Sequence, residues 1–244
     1  DHIQDMNKKY YKQIQESVNS SVIYYEDFLF DNSRIISDTF STFIQVVAED
    51  SVTSILTKSE GKTAVLNFAS FKNPGGKYIE GSMAQEECLC SESILYNVLS
   101  NFQDSYYTPN SRGSKNRCLY FNRCIYSPNI IFERNSNIVA CNVITCAAPN
   151  YRAGSKYCNV SVKDNIKALT ERIKFVLNIA KYNNIETLIL GAYGCGVSGQ
   201  EPGIVSNIFK HYLETEFKNI FKNVYFSIPD VSSNNYKTFL KNFN

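Results

Sequence analysis

The stretch TAVLNFASFKNPGGKYIEGSMAQEE, residues 63–87, decides the fold class. Its first eight residues are a short apolar run rich in β-formers, ended by a turn cluster, and predict a strand over 63–70. Pro74, Gly75 and Gly76 then break the chain. Gln85, Glu86 and Glu87 lead into a segment that predicts a helix over 84–99, with Leu95, Val98 and Leu99 on its inner face. Strand, glycine turn and helix in immediate succession are the repeating unit of an α/β sheet.

The same pattern extends outward. Apolar runs predict further strands over 42–49, 141–150, 187–192 and 223–229. Val162, Ile166, Leu169, Ile173, Val176, Leu177 and Ala180 recur at three- and four-residue steps, the clearest helical pattern in the chain. A further helix is predicted over 204–217. Residues 5–30 read as one or two helices of mixed polarity. Residues 103–118 are polar and turn-rich and read as a surface loop. Helices alternating with apolar strands imply a sheet covered on both faces. With no repeat or internal linker, residues 1–244 are expected to form a single domain, with residues 1–40 a helical arm packed on it.

Composition excludes several function classes. The chain of 244 residues is 43% hydrophobic and 20% charged, which is the balance of a globular protein. A formal net charge of +2 gives no ground for sequence-specific nucleic-acid binding. No apolar run approaches transmembrane length, and the polar start lacks the apolar core of a secretory signal, so no membrane role is expected. The eight cysteines are scattered without a C-x-x-C pair, and His2 and His211 are the only histidines, which argues against zinc. Reduced thiols in an intracellular compartment, cytoplasm or nucleus, are the expectation.

Two glycine-rich loops follow predicted strands, at 73–77 and at 194–199 (GCGVSG). Ligands of open α/β sheets bind at the carboxyl ends of strands, where such loops lie. The second loop, with the helix after it, offers backbone N–H groups to an anion and suits a diphosphate. Neither loop fits the P-loop or the simple dinucleotide fingerprint. Tight turns alone are an equally good account of either loop. Glu86 and Glu87, taken alone, are best explained as acids favoured in a first helical turn. Their functional reading is a proton donor beside a sugar, with the neighbouring carboxylate orienting a ribose hydroxyl. Among seventeen tyrosines, Tyr106, Tyr107, Tyr126, Tyr151 and Tyr193 are placed to stack on adenine, although a structural role is the first expectation for each.

Taken in order, VLNFASFKNPGG, AQEE, VITCAAPN and LILGAYGCGV with the glycine and proline after it resemble the microbial-type poly(ADP-ribose) glycohydrolases. The resemblance spans most of the chain, including YSPNIIFER at 126–134. It implies a three-layer α/β/α macrodomain with a mixed central sheet and an N-terminal helical extension. By resemblance, Glu87 is the catalytic acid that protonates the leaving oxygen of the ribose–ribose bond, and Glu86 positions the distal ribose. Gln85 belongs to the same motif. Gly75 and Gly76 are the first two glycines of the family loop, with Ser70 and Asn73 near the distal ribose. Gly194, Cys195, Gly196, Val197, Ser198 and Gly199 are the loop that wraps the diphosphate. Water would attack the anomeric carbon, with no metal or cofactor. ADP-ribose or poly(ADP-ribose) on modified proteins would be the partner, and the chain a monomer.

Two positions depart from the family pattern. Lys77 stands where the third glycine is usual, and a glycine there permits positive φ. Its ammonium is expected to pair with a phosphate or with Glu86 or Glu87. Ser198 stands where an aromatic ring is usual in the diphosphate loop. Three readings stay open on this basis: an exo-acting hydrolase of the polymer, a hydrolase of another ADP-ribose derivative such as a mono-ADP-ribosylated acceptor, and a binding module with little turnover.

Overall fold

A computed structural model describes residues 1–31, 39–113 and 115–244. Helices are α1 His2–Ser20, α2 Ser51–Lys58, α3 Gln85–Ser91, α4 Leu95–Leu99, α5 Thr108–Ser111, α6 Tyr151–Cys158, α7 Val162–Tyr182, α8 Pro202–Glu214 and α9 Asn234–Phe243. Strands are β1 Val22–Tyr24, β2 Phe43–Val47, β3 Thr63–Phe68, β4 Cys124–Arg134, β5 Asn137–Cys146, β6 Thr187–Leu190 and β7 Asn223–Ser227. Among the described residues these strands form one sheet in the order β1-β4-β5-β3-β6-β7-β2. β5, β3, β6, β7 and β2 run parallel, while β4 is antiparallel to both β5 and β1.

Alternation along the strands feeds two cores. Ala64, Leu66, Ile144, Leu188 and Leu190 pack on one face with α7, α8 and α9. Val65, Val143 and Ile189 point to the other face, against α1, α2, α3 and α4. Helix on sheet on helix is the expected three-layer mixed α/β architecture. The central strand β3 is buried on both faces, which is why it reads as a continuous apolar run. α7 starts where Ser161 caps the amide of Asp164, and its apolar stripe includes Leu169, Ile173, Val176 and Leu177.

Several elements differ from the sequence-based expectation. The N-terminal helix ends at Ser20, and residues 22–24 become an edge strand rather than more helix. The arm expected over 1–40 is thus helical only in its first half, and residues 32–38 lie outside the described residues. The helix expected over 84–99 is two helices. Glu92 and Ile94 exchange backbone hydrogen bonds with Glu133 and Ile131, and Ser93 bridges to Phe132, so docking on β4 interrupts the helix. Within the expected loop, Gln103–Tyr107 and Thr108–Ser111 are not simple surface loop. They coil into short helical turns that bury Tyr106, Tyr107 and Asn110. Tyr126 and Tyr193 are buried as well, so these four rings are core residues and not adenine platforms. α2, α6 and α9 were not anticipated, each being only eight to ten residues long. No helix among the described residues is long and apolar enough to cross a membrane.

Candidate active site

β3, β5 and β6 are parallel neighbours, so the loops after them leave the same edge of the sheet. The loop after β3 turns twice: Gly76 N–H donates to the Asn73 carbonyl (3.0 Å), and Tyr78 N–H donates to that of Gly75 (3.1 Å). Gly75 and Gly76 take φ of +68° and +61°, the left-handed region in which glycine is at ease. The chain then returns as α3, whose first turn carries both glutamates.

Glu86 and Glu87 are not the solvated acids of an ordinary helix start. They are only 2% and 7% exposed. Glu86 is held from both sides: Ser70 N–H donates to its Oε1 at 2.8 Å, and Asn67 Nδ2 donates to its Oε2 at 2.9 Å. Burial pushes its carboxyl up to about 8, against these two hydrogen bonds, and the charge of Glu87 adds to the rise. Glu87 Oε1 accepts from Lys77 N–H at 3.3 Å. The two carboxyls converge on Gly76, where a Cβ would stand 3.1 Å from Glu86 Oε1 and 3.3 Å from Glu87 Oε1. Any side chain at position 76 would fill the space in front of them.

Gln85 directs its side-chain amide into the fold. Its Oε1 accepts from Phe68 N–H (2.8 Å), and its Nε2 donates to Leu66 O (2.9 Å) and Ser51 Oγ (3.2 Å). It stitches the start of α3 to the end of β3. Ser70 takes part through its backbone, while its Oγ accepts from the amides of Lys72 and Asn73 and shapes the turn. Asn73 is exposed at that turn.

Lys77 has φ −105° and ψ 31°, so its position never required the left-handed backbone of a glycine. Its side chain is exposed, and among the described residues it forms no ion pair with Glu86 or Glu87. The anticipated pairing with those glutamates is absent, because only the Lys77 amide faces the carboxyls.

In the loop after β6, Gly194 and Gly199 take φ of +74° and +71°. A Cβ on Gly194 would meet Gln200 Cγ at 2.8 Å and Ala148 at 3.0 Å. Among the described residues the N–H groups of Gly196, Val197 and Ser198 donate to no protein acceptor, and Val197 is 75% exposed. Cys195 N–H turns inward to Ala192 O (3.1 Å). Ser198 O accepts from Arg152 N–H (3.1 Å), so α6 seats this loop. Phe68, at the end of β3, stands 5.6 Å from the Tyr193 ring and bridges the roots of the two loops. The structure thus brings together Glu86, Glu87, Gly75, Gly76, Ser70 and the Lys77 backbone, and places the open amides of 196–198 in the adjacent loop along the edge.

Asn67 escaped the sequence reading. It is fully buried, divides its amide between Glu86 Oε2 and Thr145 Oγ1, and its Oδ1 has no partner among the described residues. The available signal was an asparagine inside an otherwise apolar central strand. Tyr107 is likewise buried with an unpartnered hydroxyl, and the charge of Glu86 helps hold that hydroxyl above its ordinary pKa, behind the dominant effect of burial. Among the described residues no three His, Cys, Asp or Glu side chains group as metal ligands would.

The family model for the catalytic domain of microbial-type PARG matches residues 3–135, which include β3, the glycine loop and both glutamates. Among solved structures, poly(ADP-ribose) glycohydrolase from Deinococcus radiodurans in complex with ADP-ribose is 30% identical, with a TM-score of 0.84. The match covers 94% of this chain and 95% of that one. The enzyme from Thermomonospora curvata is 28% identical with a TM-score of 0.87, covering 95% of this chain and 89% of that one. The same enzyme bound to the inhibitor ADP-HPD is 27% identical with a TM-score of 0.81, over 94% and 88% of the two chains. No curated protein sequence matches this chain.

Proposed function

This chain belongs to the family of microbial-type poly(ADP-ribose) glycohydrolase catalytic domains, and from that premise we propose that it cleaves poly(ADP-ribose) at the ribose–ribose O-glycosidic bond and releases ADP-ribose. The observation that carries this reading is the convergence of two buried carboxyls on the bare Cα of Gly76. A ribose seated there would meet both at once.

The roles follow from how each group is held. Glu86 has both oxygens engaged by Ser70 N–H and Asn67, so it is rigid and suited to fixing a ribose hydroxyl. Glu87 has a single long contact from Lys77 N–H, which leaves it able to give a proton to the leaving oxygen. A general acid of this kind is worth roughly 10²–10⁴-fold. As the glycosidic bond opens, positive charge spreads over the anomeric carbon and ring oxygen, and water adds there. Glu87, then ionised, takes the proton that the incoming water releases. In this scheme the proton transfers rest on carboxyl groups, and no metal is required.

The open N–H groups of Gly196, Val197 and Ser198 supply donors for the diphosphate of ADP-ribose, the ligand held by the Deinococcus relative. Gly194, Cys195 and Gly199 shape that loop. Ser70 and Asn73 would border the distal ribose, and exposed Lys77 is free to meet a phosphate of the polymer. The Lys77 backbone is unstrained and its exposed side chain makes no ion pair with either glutamate, which supports the hydrolase over a binding-only protein. Polymer carried on modified proteins is the expected partner, met by the chain as a monomer.

Release of ADP-ribose from labelled polymer tests the reading. Glu87→Gln is expected to lose at least about 100-fold in rate while binding ADP-ribose in calorimetry as the wild type does. Wild type and variant equally inactive, with ADP-ribose still bound, would sink the hydrolase reading.

A further inference from the structure

Outside the site, two thiols face each other. Cys118 Sγ and Cys158 Sγ lie 4.0 Å apart, both half-buried. Among the described residues no other two thiols are in such contact. Cys90, Cys124, Cys141 and Cys146 are buried, leaving Cys88 and Cys195 as the only other cysteines with partial access to solvent.

The backbone keeps the pair in register. Cys118 ends a run of three residues, Asn116, Arg117 and Cys118, with φ of +50°, +53° and +68°. Non-glycine residues seldom hold such angles one after another, and here they are over-determined by their contacts. Asn150 N–H donates to the Cys118 carbonyl at 3.0 Å, and a Cβ on Gly154 would meet the Arg117 carbonyl at 2.9 Å. Arg117 also pairs with Asp164 at 3.2 Å. The segment is thus pinned against α6, whose last residue is Cys158.

We propose that Cys118 and Cys158 are a modification site, closing into a reversible disulfide when the protein meets a peroxide. The sulfurs must approach by about 2 Å to reach bonding distance, within the reach of side-chain rotation. One thiolate attacks a peroxide oxygen and hydroxide leaves, giving a sulfenic acid. The second thiol attacks that sulfur, and water departs as the S–S bond forms. In balance, two thiols and one hydrogen peroxide give one disulfide and two waters, and two electrons pass from sulfur to oxygen. Burial and the contact with Cys158 hold the Cys118 thiol above its ordinary pKa, so the reaction quickens as pH rises.

The bond would lie between the supports of both active-site loops. α6 seats the 194–199 loop through Arg152 N–H and Ser198 O. Tyr120, two residues after Cys118, stacks on Phe71 at 4.4 Å, beside the 73–77 loop. The inference itself depends only on the thiol pair and stands apart from the assignment of the reaction.

The experiment treats the full chain with a few equivalents of hydrogen peroxide and maps tryptic peptides without reduction. Cleavage after Arg117, Arg123, Lys156 and Lys163 isolates each cysteine, so a linked pair of peptides 118–123 and 157–163 is diagnostic. That pair is expected to dominate, to vanish with dithiothreitol, and to raise Tm by about 5 °C. Cys118→Ser and Cys158→Ser should lose both the link and the Tm shift, while Cys88→Ser keeps them. Peptides 118–123 and 157–163 found unlinked and over-oxidised, or joined to Cys88 or Cys195 instead, would overturn the proposal. If both serine variants fail to fold, the wild-type peptide map decides alone.

Discussion

Gly76 and Lys77 are adjacent residues with opposite requirements. Gly76 has φ +61° and lies against both carboxyls, so Gly76→Ala adds backbone strain and a methyl group where the sugar would sit. The expected cost is about 1–2 kcal/mol in urea unfolding and at least a tenfold fall in polymer hydrolysis. Lys77→Gly, which restores the family's third glycine, is expected to change the hydrolysis rate by less than about threefold, because the Glu87 contact comes from the backbone amide. A large gain from Lys77→Gly would show that the lysine side chain obstructs the site. Glu86 makes a pH prediction. Between its ordinary 4.5 and about 8, the folded chain holds a proton that the unfolded chain has released. Its contribution is thus fully present below about 4.5, is lost as pH rises through that window, and levels off above 8. Glu86→Gln cannot titrate, so the wild type should lose stability relative to it between pH 5 and 8, by at most roughly 5 kcal/mol. Parallel stability curves for the two proteins would refute the raised pKa.

At the scale of elements, the site depends on how α3 is tied to β3 and parted from α4. Gln85→Ala removes three hydrogen bonds and leaves Phe68 N–H and Leu66 O unpaired at the strand end. A loss of about 1–3 kcal/mol by denaturant titration is expected, with a larger effect on kcat than on ADP-ribose affinity as the glutamates lose register. Equal losses in both would mean that Gln85 touches the ligand directly. The break after α3 has an equally local cause. Arg134 reaches Glu92 (2.5 and 2.7 Å) and Asp50 (3.1 Å), joining the helix break, the start of α2 and the end of β4. Its guanidinium pKa is raised, chiefly by the hydrogen bond to Glu92.

For the whole molecule, α1 is the element whose membership matters most. Tyr10 and Ile14 are buried in the same core as α4 and β4. Tyr10 OH donates to Glu133 (2.7 Å), and His2 reaches the Ser93 carbonyl (2.9 Å) and stands edge-on to Tyr78. The arm therefore packs on the sheet, with its first turn near the glycine loop. We read the chain as one cooperative domain. Calorimetry should give a single transition, and Ile14→Ala should lower that whole transition by about 5–10 °C for a cost of about 2–4 kcal/mol. An arm that melts first, leaving the remainder unchanged, would make α1 an independent unit.

Hydrophobic periodicity determined the layered α/β class, because a strand buried on both faces and a helix with one apolar stripe leave local marks in the chain. The strand–glycine loop–helix unit and the motif Gln85-Glu86-Glu87 were legible in the chain as well, and the structure brings the glycine loop and both glutamates together at one end of the sheet. Short α2, α6 and α9 were not legible, since eight to ten residues hold too few turns to set a period. The break at 92–94 and the burial of Tyr106 and Tyr107 were hidden because their causes are distant in sequence: β4 in the first case, the core they share with α3 and β4 in the second. Only tertiary structure could turn two apparent helix-start acids into a buried pair. Burial, the Ser70 amide and Asn67 come from separate parts of the fold, and together they decide how firmly Glu86 is held and where its proton resides. The same holds for Lys77, whose unstrained backbone is a matter of φ and ψ that residue identity does not reveal.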